Sequence, residues 1–395
     1  MQKAAINISA HGIPYFTPLQ DPPAGTSLAL PEGKPLPRAF EPITVRGVTF
    51  QNRIWVSSMC QYSYEDGVFT DWTLVAIGSY AVRGASLSMI EATAVTPNGR
   101  ITPNCGGLWK DEQIAPLKRI VDFVHGQNQK IGVQLAHAGR KASTVARWLP
   151  GRYAHAGEEK GFPDSVVGPT EEAFAPLFVK PHHIPHDEIR NYIEAFRRAA
   201  IRAVEAGVDV VEVHGAHGYL INQFLSSAVN RRTDEYGGPF ENRIRLAVEI
   251  VKAVKSVLPE EVLLFFRISA SDRLEHLPEA HGWSSENTVE LAKILKDMGV
   301  DVLDVSSGGN SPLGKMVLGP AFQAQLAYNV KEVIPDMVVS SVGAIHEPDV
   351  IEDVLSKVDV VFVGRAFAWN PNFVLDLAKK YGIKVKWPNQ IGYTC

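Results

Sequence analysis

Cysteine is scarce in this chain: three residues in 395, Cys60, Cys105 and Cys395, odd in number and far apart. They form no CxxC pair and no zinc-ligand spacing, which excludes a disulfide framework and leaves free thiols and no metal as the expectation. Long apolar runs are missing too. None approaches the roughly 20 residues of a membrane span, and the opening MQKAAINISAHGIPYF lacks the charged head and apolar core of a secretory signal. The expectation is therefore a cytoplasmic protein with no membrane partner. Charge of one sign is also lacking: a formal net charge of -4 over this length is a mild excess and gives no basis for a nucleic acid partner. Finally, no glycine fingerprint follows the first strand, which argues against an open dinucleotide-binding sheet.

What is present is alternation. Residues 1–38 carry seven prolines and read as an arm along the surface, without helix or sheet of its own. Two β-rich runs then flank Arg46-Gly47, a hairpin pattern. From there short apolar runs recur at 54–57, 87–95, 130–136, 208–215, 261–269, 300–306, 337–342 and 358–364, eight in all. Helical patterns, with apolar residues three or four apart, fall at 111–127, 187–207, 241–257, 286–299 and 347–357. Strands apolar on both faces that alternate with amphipathic helices imply a parallel sheet covered by helices, and eight units close a barrel. The predicted fold is a single α/β (β/α)₈ TIM barrel spanning 39–383, with a tail at 384–395; an open doubly wound sheet is the alternative. The stretch 137–186 has no periodicity, and a loop of that length after a strand's C-terminal end is expected to cap the barrel mouth.

Barrel chemistry sits at the C-terminal ends of the strands. The last two strands end in SSVGAI and VFVGRAF. Gly343 and Gly364 there allow close backbone approach to an anion and Arg365 adds a donor fork, as a phosphate site needs; tight strand-to-helix turns are the bland alternative. The fourth strand ends in His214-Gly215-Ala216-His217-Gly218-Tyr219. Two imidazoles can offer N–H donors to a substrate oxygen while the tyrosine gives up a proton, although a metal site or buried structural histidines fit the same residues. Gln134 ends the third strand, and its amide can pair with a heterocycle edge. Arg267, among apolar residues of the fifth, demands an anionic or electron-rich partner or an internal ion pair with Asp272 or another carboxylate. The first strand runs into Ser57-Ser58-Met59-Cys60-Gln61-Tyr62, whose small residues fit the rim of a flat ligand and whose Tyr62 can close one face of a pocket.

These strand ends together resemble the Old Yellow Enzyme family of FMN-dependent ene-reductases, from about Phe40 to about Lys379. The resemblance rests on NRIWVSSMCQYS (52–63), EATAVTPNGRI (91–101), IGVQLAHAGRKA (131–142), HGAHGYLINQFLSSAVNRRTDEYGGPFENR (214–243), RISASD (267–272) and VFVGRAF (361–367), in family order. The HxxH form with Cys60 and Tyr62 is similar to its thermophilic-like branch. The resemblance implies bound FMN with NADPH or NADH as a transient hydride donor, and reduction of the activated C=C bond of α,β-unsaturated carbonyl or nitro compounds. It implies that Gln134, Arg267, Ser57, Ser58, Met59, Cys60 and Ala92 line the flavin ring, and that Gly343, Gly364 and Arg365 hold the phosphate. Tyr62, His214 and His217 would meet substrate, with Tyr219 as proton donor. A flavin-dependent isomerase or reductase of a specialised pathway is the alternative, and a metal-dependent barrel hydrolase the minor one. The tail KWPNQIGYTC lacks the arginine that members of the similar branch often insert into a neighbouring subunit, leaving monomer or homodimer open, with Trp387 or Tyr393 as substitutes.

Overall fold

The computed structural model describes residues 6–28, 35–151, 153–277 and 282–394. Two short strands, β1 (Ile43–Val45) and β2 (Val48–Phe50), pair antiparallel around Arg46-Gly47 as the pattern predicts. Eight parallel strands follow: β3 (Ile54–Val56), β4 (Leu87–Ala94), β5 (Lys130–Ala136), β8 (Val210–Gly215), β9 (Leu263–Ser269), β10 (Val302–Ser306), β11 (Val338–Val342) and β12 (Val360–Val363). They close in chain order, β12 pairing with β3. This is the (β/α)₈ barrel that eight apolar runs called for.

The period-2 alternation of a strand explains both the core and the site. Outward residues such as Val211, Val213, Leu264, Phe266, Leu303 and Val305 pack against the helices. Inward residues near the N-terminal ends, Trp55, Leu87, Met89, Val210, Leu263, Phe265, Val302, Val360 and Phe362, make a second core with Val45 and Phe50 of the hairpin. Trp55 is stacked on Phe265 with centroids 5.6 Å apart and lies against Phe50 at 4.5 Å, so the hairpin plugs that end of the barrel. Two residues further along β8, β9 and β10 the same inward row changes from apolar to polar: Val210 gives way to Glu212 and His214, Phe265 to Arg267, and Val302 to Asp304 and Ser306. One face of each of these three strands thus supplies core at one end and polar side chains at the other.

Five helices match the sequence patterns: α2 (Ile114–Gly126), α3 (Ile189–Ala206), α5 (Phe240–Lys255), α6 (Ser285–Asp297) and α8 (Pro348–Leu355). Six more were not read from periodicity: α1 (Asp71–Ala81), α4 (Leu220–Leu225), α7 (Ala324–Val333), α9 (Arg365–Trp369), α10 (Phe373–Tyr381) and α11 (Asn389–Gly392). In α1 apolar residues surround the whole axis, with Trp72 and Val75 exposed while Ile77 and Tyr80 are buried, so no stripe marks a face. The arm pairs with the C-terminal segment of the same chain: Ser27 bridges Val385, and Gly25 N–H donates to the Lys386 carbonyl at 2.8 Å. Among the described residues of 137–186 the regular structure consists of short 3₁₀ turns and a two-residue parallel pair, β6 (Val167–Gly168) with β7 (His182–His183). Among the described residues no helix is long and apolar enough to cross a membrane.

Candidate active site

Arg267 is buried at the C-terminal end of β9, and its Nη1 donates to Ser57 Oγ at 3.2 Å. Its Nε lies 3.2 Å from Asp304 Oδ2, so the internal carboxylate partner is Asp304 of the neighbouring strand and not Asp272. Asp272 is engaged elsewhere, accepting from Ser226 Oγ and from the Trp283 N–H. The ion pair is close in distance but poorly directed, since Arg267 Nε and Asp304 Oδ2 each lack a hydrogen-bond partner. Gln134, in register with Ala92 of β4 and Glu212 of β8, donates its amide to Glu212 Oε1 at 2.6 Å.

His214 stands beside Arg267 in the β8–β9 register and is buried, its Nδ1 without a partner. Its ring centroid is 5.2 Å from that of His217 and 5.2 Å from that of Tyr219. His217 adopts the left-handed region at φ 59°, held by its N–H donating to Ser269 Oγ at 2.8 Å and by contact of its Nε2 with Ser306 Oγ at 2.7 Å. Gly218 follows at φ 72°; a Cβ there would fall 2.1 Å from the Gly309 carbonyl oxygen, so only glycine lets the two turns close on each other. Desolvation first, then the Arg267 and Lys141 cations, hold both imidazoles well below the usual histidine range and therefore neutral. Burial, followed by the neighbouring Cys60 and Tyr62, pushes the Tyr219 hydroxyl well above its usual range, so it keeps its proton.

Cys60, Tyr62, Ala92 and Tyr219 share one apolar cluster. Burial, then Glu91 and Cys105, pushes the Cys60 thiol up, which keeps it from acting as a thiolate at neutral pH. Tyr62 is at φ 49° with its ring 5.9 Å from that of Trp148 in the capping segment. Glu91, at the irregularity in β4, pins this turn by accepting from the Gln61 N–H at 2.8 Å and the Tyr64 hydroxyl at 2.9 Å. The Ser58 Oγ is buried with no partner.

Gly343, Gly364, Arg365 and Met59 line one cavity of about 450 Å³ over the ends of β11 and β12. Gly343 is at φ 122°, and a Cβ there would meet the Phe322 ring at 2.8 Å and fill the cradle. Unsatisfied donors at Ser58 and Arg267, an amide edge at Gln134 and this glycine-lined recess fit a flat heterocycle carrying a phosphate. A larger cavity of about 1030 Å³ lies at the opposite end of the barrel, against the arm and hairpin, and contains none of these residues.

In the tail, Trp387 packs on its own chain beneath Lys379, whose Nζ is 5.2 Å from the ring centroid, and Tyr393 is exposed. Among the described residues no group of three or more His, Cys, Asp or Glu is placed to hold a metal. Lys141 carried no role in the sequence reading, yet its Nζ donates to the His217 and Gly309 carbonyls at 2.8 Å each and lies 5.2 Å from the Tyr219 ring centroid. Glu212 and Asp304 were also missed; the signal was a charged residue inside an otherwise apolar strand, VVEVHG and VLDVS.

The sequence profile of the NADH:flavin oxidoreductase / NADH oxidase family matches residues 38–382. The chain belongs to this family. It is 48% identical over 400 residues to an NADH:flavin oxidoreductase of Gibberella zeae, covering 98% of this chain and 95% of that one. It is 40% identical over 355 residues to an NADPH dehydrogenase of Bacillus cytotoxicus, covering 89% and 95%. Among solved structures, morphinone reductase superposes with a TM-score of 0.70 at 26% identity, covering 90% of this chain and 93% of that one. A 2-naphthoyl-CoA reductase complex superposes with a TM-score of 0.77; at 22% identity the likeness concerns the fold, and this chain spans 52% of that one. The protein is thus an FMN-dependent oxidoreductase of the Old Yellow Enzyme type that draws hydride from a nicotinamide donor.

Proposed function

We propose that this enzyme is an ene-reductase, reducing the activated C=C bond of α,β-unsaturated ketones, aldehydes, imides or nitroalkenes at the expense of NADPH or NADH. The observation that carries the reading is the turn after β8, which sets a neutral imidazole, His217, and a protonated phenol, Tyr219, each with its ring centroid 5.2 Å from that of a second neutral imidazole, His214, beside Arg267. Hydride transfer, from the nicotinamide and on to the β-carbon of the acceptor, is the chemistry that bound FMN supplies. Gln134, Arg267, Ser57, Ser58, Met59, Cys60 and Ala92 line its ring, and Gly343, Gly364 and Arg365 hold its phosphate.

His214 and His217 donate N–H bonds to the acceptor's carbonyl or nitro oxygen, with Tyr62 closing the pocket above. Negative charge grows on that oxygen as the β-carbon is reduced, and fixed donors in a dry site stabilise it in the transition state more than in the ground state. Neutral imidazoles suit the task, since they neither repel Arg267 nor vary in charge across physiological pH. Tyr219 completes the reaction by protonating the α-carbon; its raised pKa keeps the proton available until a strongly basic carbon forms. Lys141 locks the capping segment onto the His217 turn.

The direct test is anaerobic NADPH oxidation with a panel of enones and nitroalkenes, with products identified. Saturated products from the activated acceptors and none from simple alkenes are expected. Turnover with quinones or oxygen alone would overturn the reading.

A further inference from the structure

Beneath the amide and guanidinium described above lies a buried network that no step of the reaction uses. Glu212 on β8 and Asp304 on β10 are each 1% exposed. Glu212 Oε1 accepts from Gln134 Nε2 at 2.6 Å, and Asp304 Oδ1 accepts from Ser340 Oγ at 2.8 Å. Their other oxygens, Glu212 Oε2 and Asp304 Oδ2, are buried and accept no hydrogen bond. Two carboxyls therefore face one guanidinium, Arg267, in the interior of the barrel. If both were ionised, the cluster would hold an uncompensated negative charge and unmet lone pairs, an arrangement that buried sites strongly disfavour. One proton brings the net charge of the cluster to zero and turns an orphaned acceptor into a donor.

We propose that Glu212 is a positioning residue that holds this proton, fixing the Gln134 amide and the Arg267 guanidinium at the flavin edge, so that retention of FMN depends on the cluster staying protonated. The inference rests on the placement of the flavin edge against Gln134 and Arg267 proposed above. With Gln134 Nε2 committed to Glu212, its carbonyl oxygen is the group left to face the ligand, and it reads a donor there. Ionised Glu212 draws both the amide and the guanidinium toward itself and places negative charge behind the site. The groups facing Glu212 are Gln134 from β5, Asp304 from β10, Arg267 from β9 and, on its own strand, a neutral His214. Burial, then Asp304, pushes the Glu212 carboxyl up to about 8, with Arg267 and Gln134 acting in the opposite sense. Burial raises Asp304 as well, against Arg267 and Ser340.

Holoenzyme diluted into buffers from about pH 7 to about pH 9.5 releases FMN, read by recovery of free flavin fluorescence; weakening of about tenfold across that window is expected of the wild type. Glu212→Gln, which mimics the neutral carboxyl, should retain FMN as the wild type does at pH 7 and show no such step. Lys141, pushed down to about 7 mainly by burial, titrates nearby but is intact in this variant, so a step lost with Glu212→Gln belongs to Glu212. Asp304→Asn should move the step to lower pH, because removing the adjacent negative charge eases ionisation of Glu212. A wild type without a step, or a Glu212→Gln variant that keeps it, overturns the proposal, and the wild-type and Asp304→Asn curves decide it even if Glu212→Gln fails to fold. Gln134→Ala and Arg267→Ala variants that hold FMN as tightly as the wild type would instead overturn the placement of the flavin edge itself.

Discussion

Replacing Arg267 by methionine keeps most of the side-chain stem and removes the cation paired with Asp304. The guanidinium and carboxylate are 5% and 1% exposed and 3.2 Å apart, so solvent cannot take over the lost role. Asp304 must then be protonated for the chain to fold. At pH 7 that costs about 1.4 kcal/mol for each unit above an ordinary aspartate pKa of ~3.9, or about 4 kcal/mol, in line with the roughly 3–5 kcal/mol seen when a buried pair loses one partner. The sign follows from linkage. A carboxyl whose folded-state pKa is raised is harmless below its unfolded pKa and increasingly destabilising as pH rises, so the loss should shrink to about 2 kcal/mol at about pH 5.5. Urea unfolding of flavin-free wild type and Arg267→Met at the two pH values measures it, and flavin-free protein removes the stabilisation that ligand binding adds. The Arg267→Met/Asp304→Asn double variant should lose the pH dependence. A deficit equal at both pH values, or below about 1 kcal/mol, would refute the argued electrostatics.

Lys141→Met removes two hydrogen bonds from the His217 turn at a half-buried site, and about 1 kcal/mol of lost ordering should raise KM for the acceptor about fivefold with a smaller effect on kcat; an unchanged KM would show that other contacts hold the turn. Gly218→Ala forces a Cβ against the Gly309 carbonyl at positive φ, and a loss of about 2 kcal/mol should lower Tm by about 2 °C in a chain of this length; a Tm matching the wild type would contradict the close approach. Because His214 and His217 are held neutral, acceptor binding by Lys141→Met, which lacks the nearby amine pushed down to about 7, should show no break near the ordinary histidine pKa of ~6.5, whereas a break there would place a charged imidazole in the site.

The barrel was legible because parallel strands buried on both faces read as apolar runs, and eight of them survive as uninterrupted patterns from Ile54 to Val363. Helices were legible only where burial was one-sided. α1 presents Trp72 and Val75 to solvent and Ile77 and Tyr80 to the core, so hydrophobicity carries no periodic signal there. At the candidate site, residues that lie together in a local motif could be nominated from sequence: the His214 to Tyr219 turn is one segment, and Gly364-Arg365 another. Glu212, Asp304 and Lys141 act through partners on other strands or loops, and their roles depend on a register that the sequence does not state. The same limit explains why Asp272, close to Arg267 in sequence, stood as its possible partner while the barrel placed Asp304 beside it.

The central claim is that Tyr219 protonates the α-carbon after hydride reaches the β-carbon, and rapid-mixing kinetics of Tyr219→Phe separate the two halves of the cycle. NADPH-driven bleaching of the flavin should proceed at close to the wild-type rate, while reoxidation by an enone slows by about 10²-fold or more. Equal slowing of both halves, or reoxidation at the wild-type rate, would contradict the account.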